Sequence, residues 1–202
     1  MIVDASVARS FGVVGWSDPL VRVAGGCIRV AAGVHSQDED GPSELRNIRA
    51  ALQRQAEEAG LGSGTASRAL AAVSGLDQLL GLPAAHLEVL TLDEEELSLA
   101  VRLQSRLPED REWRRSLGAH ARRLDAGEAA SIAIASHRSL EFASDDQDAL
   151  DIWAGLTLTM ALRTRDLFKQ LTAKGVVSEA EGHATYDLLQ FDDLHNLAGP
   201  PW

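Results

Sequence analysis

Short apolar runs alternate along this chain with longer stretches in which apolar and polar residues follow a helical spacing. Runs rich in β-branched residues or leucine are typical of strands in a buried sheet. Strands that alternate with helices favour a mostly parallel sheet with helices on both faces, so the pattern predicts an α/β fold. The predicted strands are Met1–Ala5, Cys27–Ala31, Leu87–Leu92, Leu140–Ser144 and Leu156–Thr159.

The stretches between these strands predict helices. The segment from Leu45 to about Leu82 differs from the rest, because it has few β-branched residues and an entirely helical pattern. We interpret it as a helical insertion, at about 45–82, in a single domain that spans 1–191 and precedes a C-terminal tail, 192–202. The predicted helices are Val7–Trp16, Pro19–Ala24, Ser43–Ala59, Ala66–Leu80, Glu94–Arg106, Glu112–Leu124, Glu128–Ser139, Gln147–Ala154, Leu162–Ala173 and Glu179–Leu189.

Composition and charge exclude several classes of protein for this chain. The chain has 202 residues and a formal net charge of −11, which argues against a general nucleic-acid coat, because neutralising phosphates needs clustered Lys and Arg. No apolar run reaches the roughly 20 residues of a membrane-spanning helix, and the start of the chain does not resemble a signal peptide. Cys27 is the only cysteine, so an internal disulfide is impossible. We therefore expect a cytoplasmic protein without membrane contact.

Four acidic residues stand where an apolar strand ends or a helix begins: Asp4, Glu44, Glu128 and Asp146. Ligands of parallel sheets bind beyond the carboxyl ends of the strands, where Asp4 and Asp146 are expected. Carboxylates that are brought together repel one another, so such a cluster is usually held around bound cations. Helix capping alone explains Glu128 and Asp146, but not Asp4, because an acid that ends an apolar strand needs a partner. The pattern therefore predicts a divalent-metal site that can activate water.

Three short segments carry a family resemblance. Asp4-Ala-Ser ends the first strand, Gly127-Glu-Ala-Ala-Ser-Ile-Ala-Ile-Ala opens a later helix, and Ser144-Asp-Asp-Gln-Asp follows a strand. In this order they resemble the PIN-domain nucleases, a family named from the N-terminus of the pilus protein PilT. The closing segment, Gly155-Leu-Thr-Leu-Thr and a helix that ends at Lys174-Gly-Val-Val, resembles bacterial toxin-like members such as the virulence-associated protein C toxins. The similarity covers roughly residues 1–44 and 87–191.

The resemblance implies a PIN-like fold of three layers, α/β/α, around a central, mostly parallel sheet. It also implies that Ser6 and Ser144 are polar residues that support the first metal ligand. The implied metal ligands are Asp4, Glu128, Asp146 and Asp148.

The second acid of the family pattern is less certain in this sequence. Strict spacing places Gln37 at that position, and an amide cannot replace a carboxylate. A small insertion would bring Asp38, Glu39 or Glu44 there instead. We prefer Glu44, because the Pro-Ser pair before it marks a helix start that Ser43 can cap. The catalytic acids implied by the resemblance are then Asp4, Glu44, Glu128 and Asp146.

The activity implied by the resemblance is Mg²⁺- or Mn²⁺-dependent hydrolysis of RNA phosphodiester bonds by an endoribonuclease, as the toxin of a toxin–antitoxin pair. Its partners would be an RNA substrate and a cognate antitoxin, and a homodimer is a further expectation. Two alternatives stay open. Gln37 and the net charge of −11 favour a catalytically inactive PIN-like interaction module, and a metal-dependent DNA or nucleotide phosphohydrolase would use the same acids.

A run of arginines is the candidate RNA contact. Within this run, the residues expected to contact RNA are Arg114, Arg115, Arg122 and Arg123. The competing interpretation is a solvated helix face, because Glu109, Asp110 and Glu112 lie among the arginines. Trp113, between them, is most simply half-buried, although its ring could also stack on a base.

Overall fold

The computed structural model describes residues 1–35, 43–60, 62–118 and 123–190, and within these ranges it contains one parallel β-sheet and a set of helices. None of the described helices is long and apolar enough to cross a membrane. The strands are β1 (Ile2–Val3), β2 (Ile28–Ala31), β3 (Leu87–Leu90) and β4 (Phe142–Ala143). The helices are α1 (Ala5–Val13), α2 (Ser17–Val23), α3 (Glu44–Ala59), α4 (Gly64–Leu80), α5 (Glu94–Gln104), α6 (Pro108–Ser116), α7 (Ala126–His137), α8 (Gln147–Thr157), α9 (Thr164–Ala173) and α10 (Glu179–Gln190).

The sheet has four strands in the order β3-β2-β1-β4, and every pair is parallel. In the central strand β1, Ile2 pairs with Arg29 on one side and with Phe142 on the other. Ile2 and Val3 point to opposite faces of the sheet, and neither exposes any surface. The sheet is therefore covered on both faces, as parallel sheets are, and the predicted α/β class is confirmed.

The strand order creates a switch point at β1. The chain passes from β1 to β2 and β3 in one direction, whereas β4 lies on the other side of β1. The connections that leave the carboxyl ends of β1 and β4 therefore diverge, and ligands of open parallel sheets bind in the crevice between such ends. Asp4 follows β1 directly, and Ser144 follows β4 directly.

The predicted fifth strand, Leu156–Thr159, is wrong. Helix α8 continues through Thr157, whose hydroxyl bonds the carbonyl of Trp153 one turn earlier at 2.8 Å. The helix ends only at Leu158, which adopts a left-handed conformation with φ 58°. The backbone then meets β4 at Leu162, which forms a single parallel bridge to Ala143. The alternation of Leu and Thr is compatible with a strand, but the i−4 bond of Thr157 is equally compatible with a helix.

The predicted helix Glu112–Leu124 is also wrong at both ends. Helix α6 starts earlier because Pro108 occupies its first turn, where a missing N–H costs nothing. It ends at Ser116, and Gly118 follows with φ +92°. The N–H of Leu124 donates to the carbonyl of Leu103 instead of to a helical partner.

The helical prediction for Leu45–Leu82 is confirmed by α3 and α4, while the role of this segment as an insertion stays a prediction. Helices α3 and α4 pack on each other, and α4 packs on α1. At the α1–α4 contact, a Cβ added to Gly75 would lie 2.0 Å from the carbonyl oxygen of Gly12. Only glycine at position 75 permits this approach, which brings the helical pair against the helix that follows β1.

An aromatic cluster anchors the C-terminal helices beside α1 and α2. The ring of Phe168 lies 5.0 Å from Phe11, 4.8 Å from Trp16 and 5.6 Å from Tyr186, measured between centroids. Phe11, Phe168 and Tyr186 are almost completely buried. Burying aromatic side chains of this size contributes a large share of core stability.

Candidate functional site

Asp4 is a buried carboxylate at the carboxyl end of the central strand. It is 2% exposed and caps the N-terminus of α1. Its Oδ1 accepts from the amide of Ser6 at 2.8 Å, and its Oδ2 accepts from the hydroxyls of Ser6 and Ser144. Ser6, in the first turn of α1, and Ser144, directly after β4, therefore both hydrogen-bond this acid. Their support of a metal ligand stays a prediction.

The two serines also hold the segment after β4. The Ser144 hydroxyl accepts from the amide of Asp146 at 3.1 Å, and the Ser6 hydroxyl accepts from the amide of Asp145 at 3.0 Å. These bonds fix the turn after β4 against the first turn of α1. As a result, the position of Asp146 depends on that of Asp4.

Asp146 and Asp148 begin helix α8. Asp146 is the N-cap, and its Oδ1 accepts from the amide of Ala149 at 3.0 Å. Asp148 lies in the first turn of the same helix. Both side chains are half-buried and line a cleft that also reaches the start of α7.

Glu128 belongs to a capping box with Asp125. The Glu128 amide donates to Oδ1 of Asp125 at 2.9 Å, and the Asp125 amide donates to Oε2 of Glu128 at 3.1 Å. Asp125 is an additional acid that the sequence analysis did not select. The spacing Asp-x-x-Glu was the available signal, because it is the pattern of a capping box.

Glu44, the first residue of α3, lies against the start of α7. Its Oε1 accepts from the amide of Gly127 at 3.0 Å, across 83 residues of sequence. Repulsion by Asp125 contributes to the raised pKa of its carboxyl group, so these two acids influence each other. Glu44 therefore joins the acidic group as expected, whereas the other candidates for this position, Asp38 and Glu39, lie outside the described residues, as does Gln37.

A cleft of about 240 Å³ opens beside this group, between the starts of α7 and α8. Asp4 and Glu44 do not line this cleft, although Asp4 raises the pKa of both Glu44 and Glu128, and Asp125 raises the pKa of Glu44. Within the part of the chain that the structure describes, no three metal-ligating side chains already surround one point. The cleft is lined by Arg123, Asp125, Glu128, Asp146 and Asp148.

The pKa values of Glu128, Glu44 and Asp4 are all raised above their ordinary values. Burial, and then repulsion by Asp125 and Asp146, raises the pKa of Glu128 to about 8. Burial, and then repulsion by Asp125 and Asp4, raises the pKa of Glu44 to about 7. Burial raises the pKa of Asp4 to about 6, although the hydrogen bonds from Ser144 and Ser6 oppose this change. The group therefore favours bound positive charge or bound protons.

A divalent hard cation fits this set of donors. All the acids supply carboxylate oxygens, which Mg²⁺ and Mn²⁺ prefer. Repulsion of Glu44 by Asp125 and Asp4 favours either a bound proton or a cation nearby. Mg²⁺ keeps several waters when it binds, so it does not need a closed set of protein ligands.

Asp145 belongs to the Ser144-Asp-Asp-Gln-Asp motif but was not predicted as a site residue, and its role is structural. Its carboxylate accepts from the amide of Thr164 at 2.9 Å and from its hydroxyl at 2.6 Å. Burial raises the pKa of Asp145, and the bonds from Thr164 oppose that rise. Asp145 thus ties the turn after β4 to the start of α9.

Arg114 was predicted to contact RNA, and this prediction is wrong. It is 2% exposed, and its guanidinium donates to the carbonyls of Arg102 and Ser105 at 2.9 and 2.8 Å. Arg114 is therefore a structural side chain that joins α5 to α6. Arg115 and Arg123 are exposed, whereas Arg122 lies outside the described residues.

Trp113 is half-buried, as the simpler interpretation held. The guanidinium of Arg102 lies 3.8 Å from the centroid of its ring, in a cation–π contact. Arg102 also pairs with Asp110 at 3.1 Å. One face of the indole is thus covered, which leaves less of the ring for stacking on a base.

Comparison with known proteins identified no relative. No protein-family model matches the chain. No curated protein and no solved structure matches it either. Function is therefore inferred from the arrangement of the acidic side chains and from the motifs that contain them.

Proposed function

We propose that this protein is a Mg²⁺- or Mn²⁺-dependent ribonuclease with a PIN-like fold that hydrolyses RNA phosphodiester bonds. The observation that carries the proposal is the meeting of acids from four separate parts of the chain. Asp4 follows β1, Glu44 opens α3, Glu128 lies in the first turn of α7, and Asp146 caps α8. Each of these acids either raises the pKa of another member or has its own pKa raised by one.

Asp4, Glu128, Asp146 and Asp148 are the residues that would hold the cation, with Glu44 as the second acid of the pattern. A bound Mg²⁺ or Mn²⁺ would lower the pKa of water and stabilise negative charge on the phosphate. The protein supplies the orientation of the ligands. Outer contacts of this kind, here made by the two serines to Asp4, fix the geometry and basicity of metal ligands in other proteins.

Glu128 and Glu44 can hold or release a proton near neutral pH. With pKa values of about 8 and about 7, their carboxyls are partly protonated in the absence of a cation. Cation binding favours their ionised forms and therefore releases protons. An ionised Glu44 or Glu128 would then be available to accept a proton from attacking water.

Arg123 is the basic side chain of the cleft. It is exposed and lines the same cavity as Asp125, Glu128, Asp146 and Asp148. A guanidinium at the rim of an acidic cleft can contact a substrate phosphate through two parallel hydrogen bonds. We assign it this role, with Arg115 as a second exposed arginine nearby in sequence.

The choice of RNA as substrate and the role of toxin rest on the family resemblance of the motifs. A cognate antitoxin and a homodimer belong to the same proposal. The second candidate function is an interaction module without catalysis. It is favoured by the absence, among the described residues, of three ligating side chains already gathered around one point.

Cleavage of synthetic single-stranded RNAs with Mn²⁺, with Mg²⁺ and with EDTA tests the activity. We expect cation-dependent cleavage that Asp4→Asn and Asp146→Asn each reduce at least about 100-fold, because losing a ligand should exceed the 10–100-fold effect of outer contacts. Asn can still cap both helices, so the fold should persist. Asp18→Asn, at an exposed acid outside the group, is the matched control.

Single-stranded DNA of the same sequence separates ribonuclease from deoxyribonuclease activity. Cleavage of DNA alone would favour the alternative phosphohydrolase. Undiminished RNA cleavage by both Asn variants would remove the catalytic assignment, and Mn²⁺ binding without cleavage of any substrate would favour the inactive module.

A further inference from the structure

Gly127 contacts the carboxyl group of Glu44 directly. Its amide donates to Glu44 Oε1 at 3.0 Å, and Gly127 lies in the first turn of α7. Amides in the first turn of a helix have no partner within the helix, and the helix dipole favours a negative charge there. The start of α7 is therefore a favourable place for the Glu44 carboxylate.

The missing side chain of Gly127 leaves the space that this carboxyl occupies. A Cβ added to Gly127 would lie 2.2 Å from Oε1, 2.6 Å from Cδ and 2.8 Å from Oε2 of Glu44. The three nearest atoms all belong to the carboxyl of one flexible side chain. Backbone conformation does not require glycine here, because residue 127 lies within a helix and has no positive φ. On the other side of the residue, a Cβ added to Gly33 would lie 3.9 Å from Cα of Gly127, which is an ordinary contact.

We infer that Gly127 is a positioning residue that holds the Glu44 carboxyl at the start of α7, where Asp125 is the N-cap. The inference rests on the proposed function for its effect on metal binding, and on the contacts of Gly127 for its geometry. A methyl group at position 127 would displace the Glu44 carboxyl without disturbing the backbone. Alanine is also the better helix former, so the substitution should not destabilise the protein.

The first experiment is made without metal. Two-dimensional ¹H–¹⁵N spectra of wild-type protein and Glu44→Gln should show a clear change in the Gly127 amide resonance, because the charged acceptor is lost. Gly127→Ala should melt at or above the wild-type temperature. Gly64→Ala is the control, because Gly64 also opens a helix and a Cβ there meets no atom within 4 Å. An unchanged Gly127 resonance in Glu44→Gln would overturn the inference, whether or not the protein binds metal.

The second experiment measures Mn²⁺ affinity by calorimetry in a double-mutant cycle. We expect Gly127→Ala to weaken Mn²⁺ binding about 10–100-fold, as for residues that orient ligands, and Gly64→Ala to leave it unchanged. In a Glu44→Gln background, Gly127→Ala should cause no further loss. Wild-type affinity in Gly127→Ala, or a full additional loss in that background, would contradict the positioning role. If wild-type protein binds no Mn²⁺, the proposed function fails, and the metal-free spectra alone decide the contact.

Discussion

Ser144 and Asp4 are hydrogen-bonded across two neighbouring parallel strands, with the Ser144 hydroxyl donating to Oδ2 of Asp4. The same hydroxyl accepts from the amide of Asp146. A single side chain therefore links the buried acid after β1 to the helix cap after β4, across the switch point of the sheet. This link ties the relative positions of Asp4 and Asp146 to the pairing of β1 with β4.

Ser144→Ala should weaken metal binding although it removes no acidic side chain. The buried carboxylate of Asp4 would lose one donor, and the amide of Asp146 would lose its acceptor. We expect Mn²⁺ affinity to fall about 10–100-fold and the free energy of unfolding to fall by about 1–3 kcal/mol, the usual cost of an unsatisfied buried polar group. Calorimetry and urea denaturation measure the two effects. Ser67→Ala, which removes an exposed hydroxyl of α4, is the control and should change neither. An unaltered affinity would show that the hydroxyl does not orient Asp4.

The metal-free protein should lose stability as the pH rises from about 5 to about 8. The folded-state pKa values of Asp4, Glu44 and Glu128 are about 6, 7 and 8, above the ordinary values of 3.8 to 4.5. The folded state therefore binds more protons than the unfolded state in this window, so ionisation favours unfolding. Melting temperatures in EDTA across this pH range test the sign. Stability that rises steadily from pH 5 to pH 8 would contradict the raised pKa values.

Glu128→Gln should stabilise the metal-free protein at pH 8. Gln keeps the acceptor of the capping box but removes a charge that Asp125 and Asp146 repel. The melting temperature should rise by about 2–4 °C for each kcal/mol relieved, while the response to Mn²⁺ should be lost.

The matched control for this substitution lies at the start of α5, where Asp93 and Glu96 form an equivalent capping box. Glu96 is buried and pairs with Arg138 at 2.6 Å, which lowers the pKa of its carboxyl. Glu96→Gln should therefore have the opposite effect and cost about 1.5–3 kcal/mol, the range for a hydrogen bond to a charged group. Equal shifts of the same sign in both variants would show that capping, and not repulsion between acids, governs position 128.

Local patterns were sufficient to predict the α/β class and the places of most elements. Apolar runs located β1 to β4, and an acid that ends such a run, Asp4, had to acquire partners in the fold. Asp125 was missed because its sequence pattern is that of a helix cap. Only the fold brings it close enough to Glu44 to raise the pKa of that residue. The predicted strand Leu156–Thr159 was wrong for a physical reason, because alternating Leu and Thr residues fit either a strand or the end of a helix. The prediction that Arg114 contacts RNA was wrong because the sequence cannot show which of several arginines becomes buried between α5 and α6.

Mn²⁺ should stabilise the protein more at pH 8 than at pH 6, which is the opposite trend to that of the metal-free protein. Binding requires ionised carboxyls, and Glu128 and Glu44 with pKa values of about 8 and about 7 are more fully ionised at the higher pH. At a free Mn²⁺ concentration 100 times the dissociation constant, linkage contributes about 2.7 kcal/mol, which corresponds to a rise of about 5–10 °C. Thermal melts with and without Mn²⁺ at both pH values measure the difference, and Asp146→Asn should abolish it. A shift that is the same at both pH values, or that persists in Asp146→Asn, would place Mn²⁺ somewhere other than this acidic group.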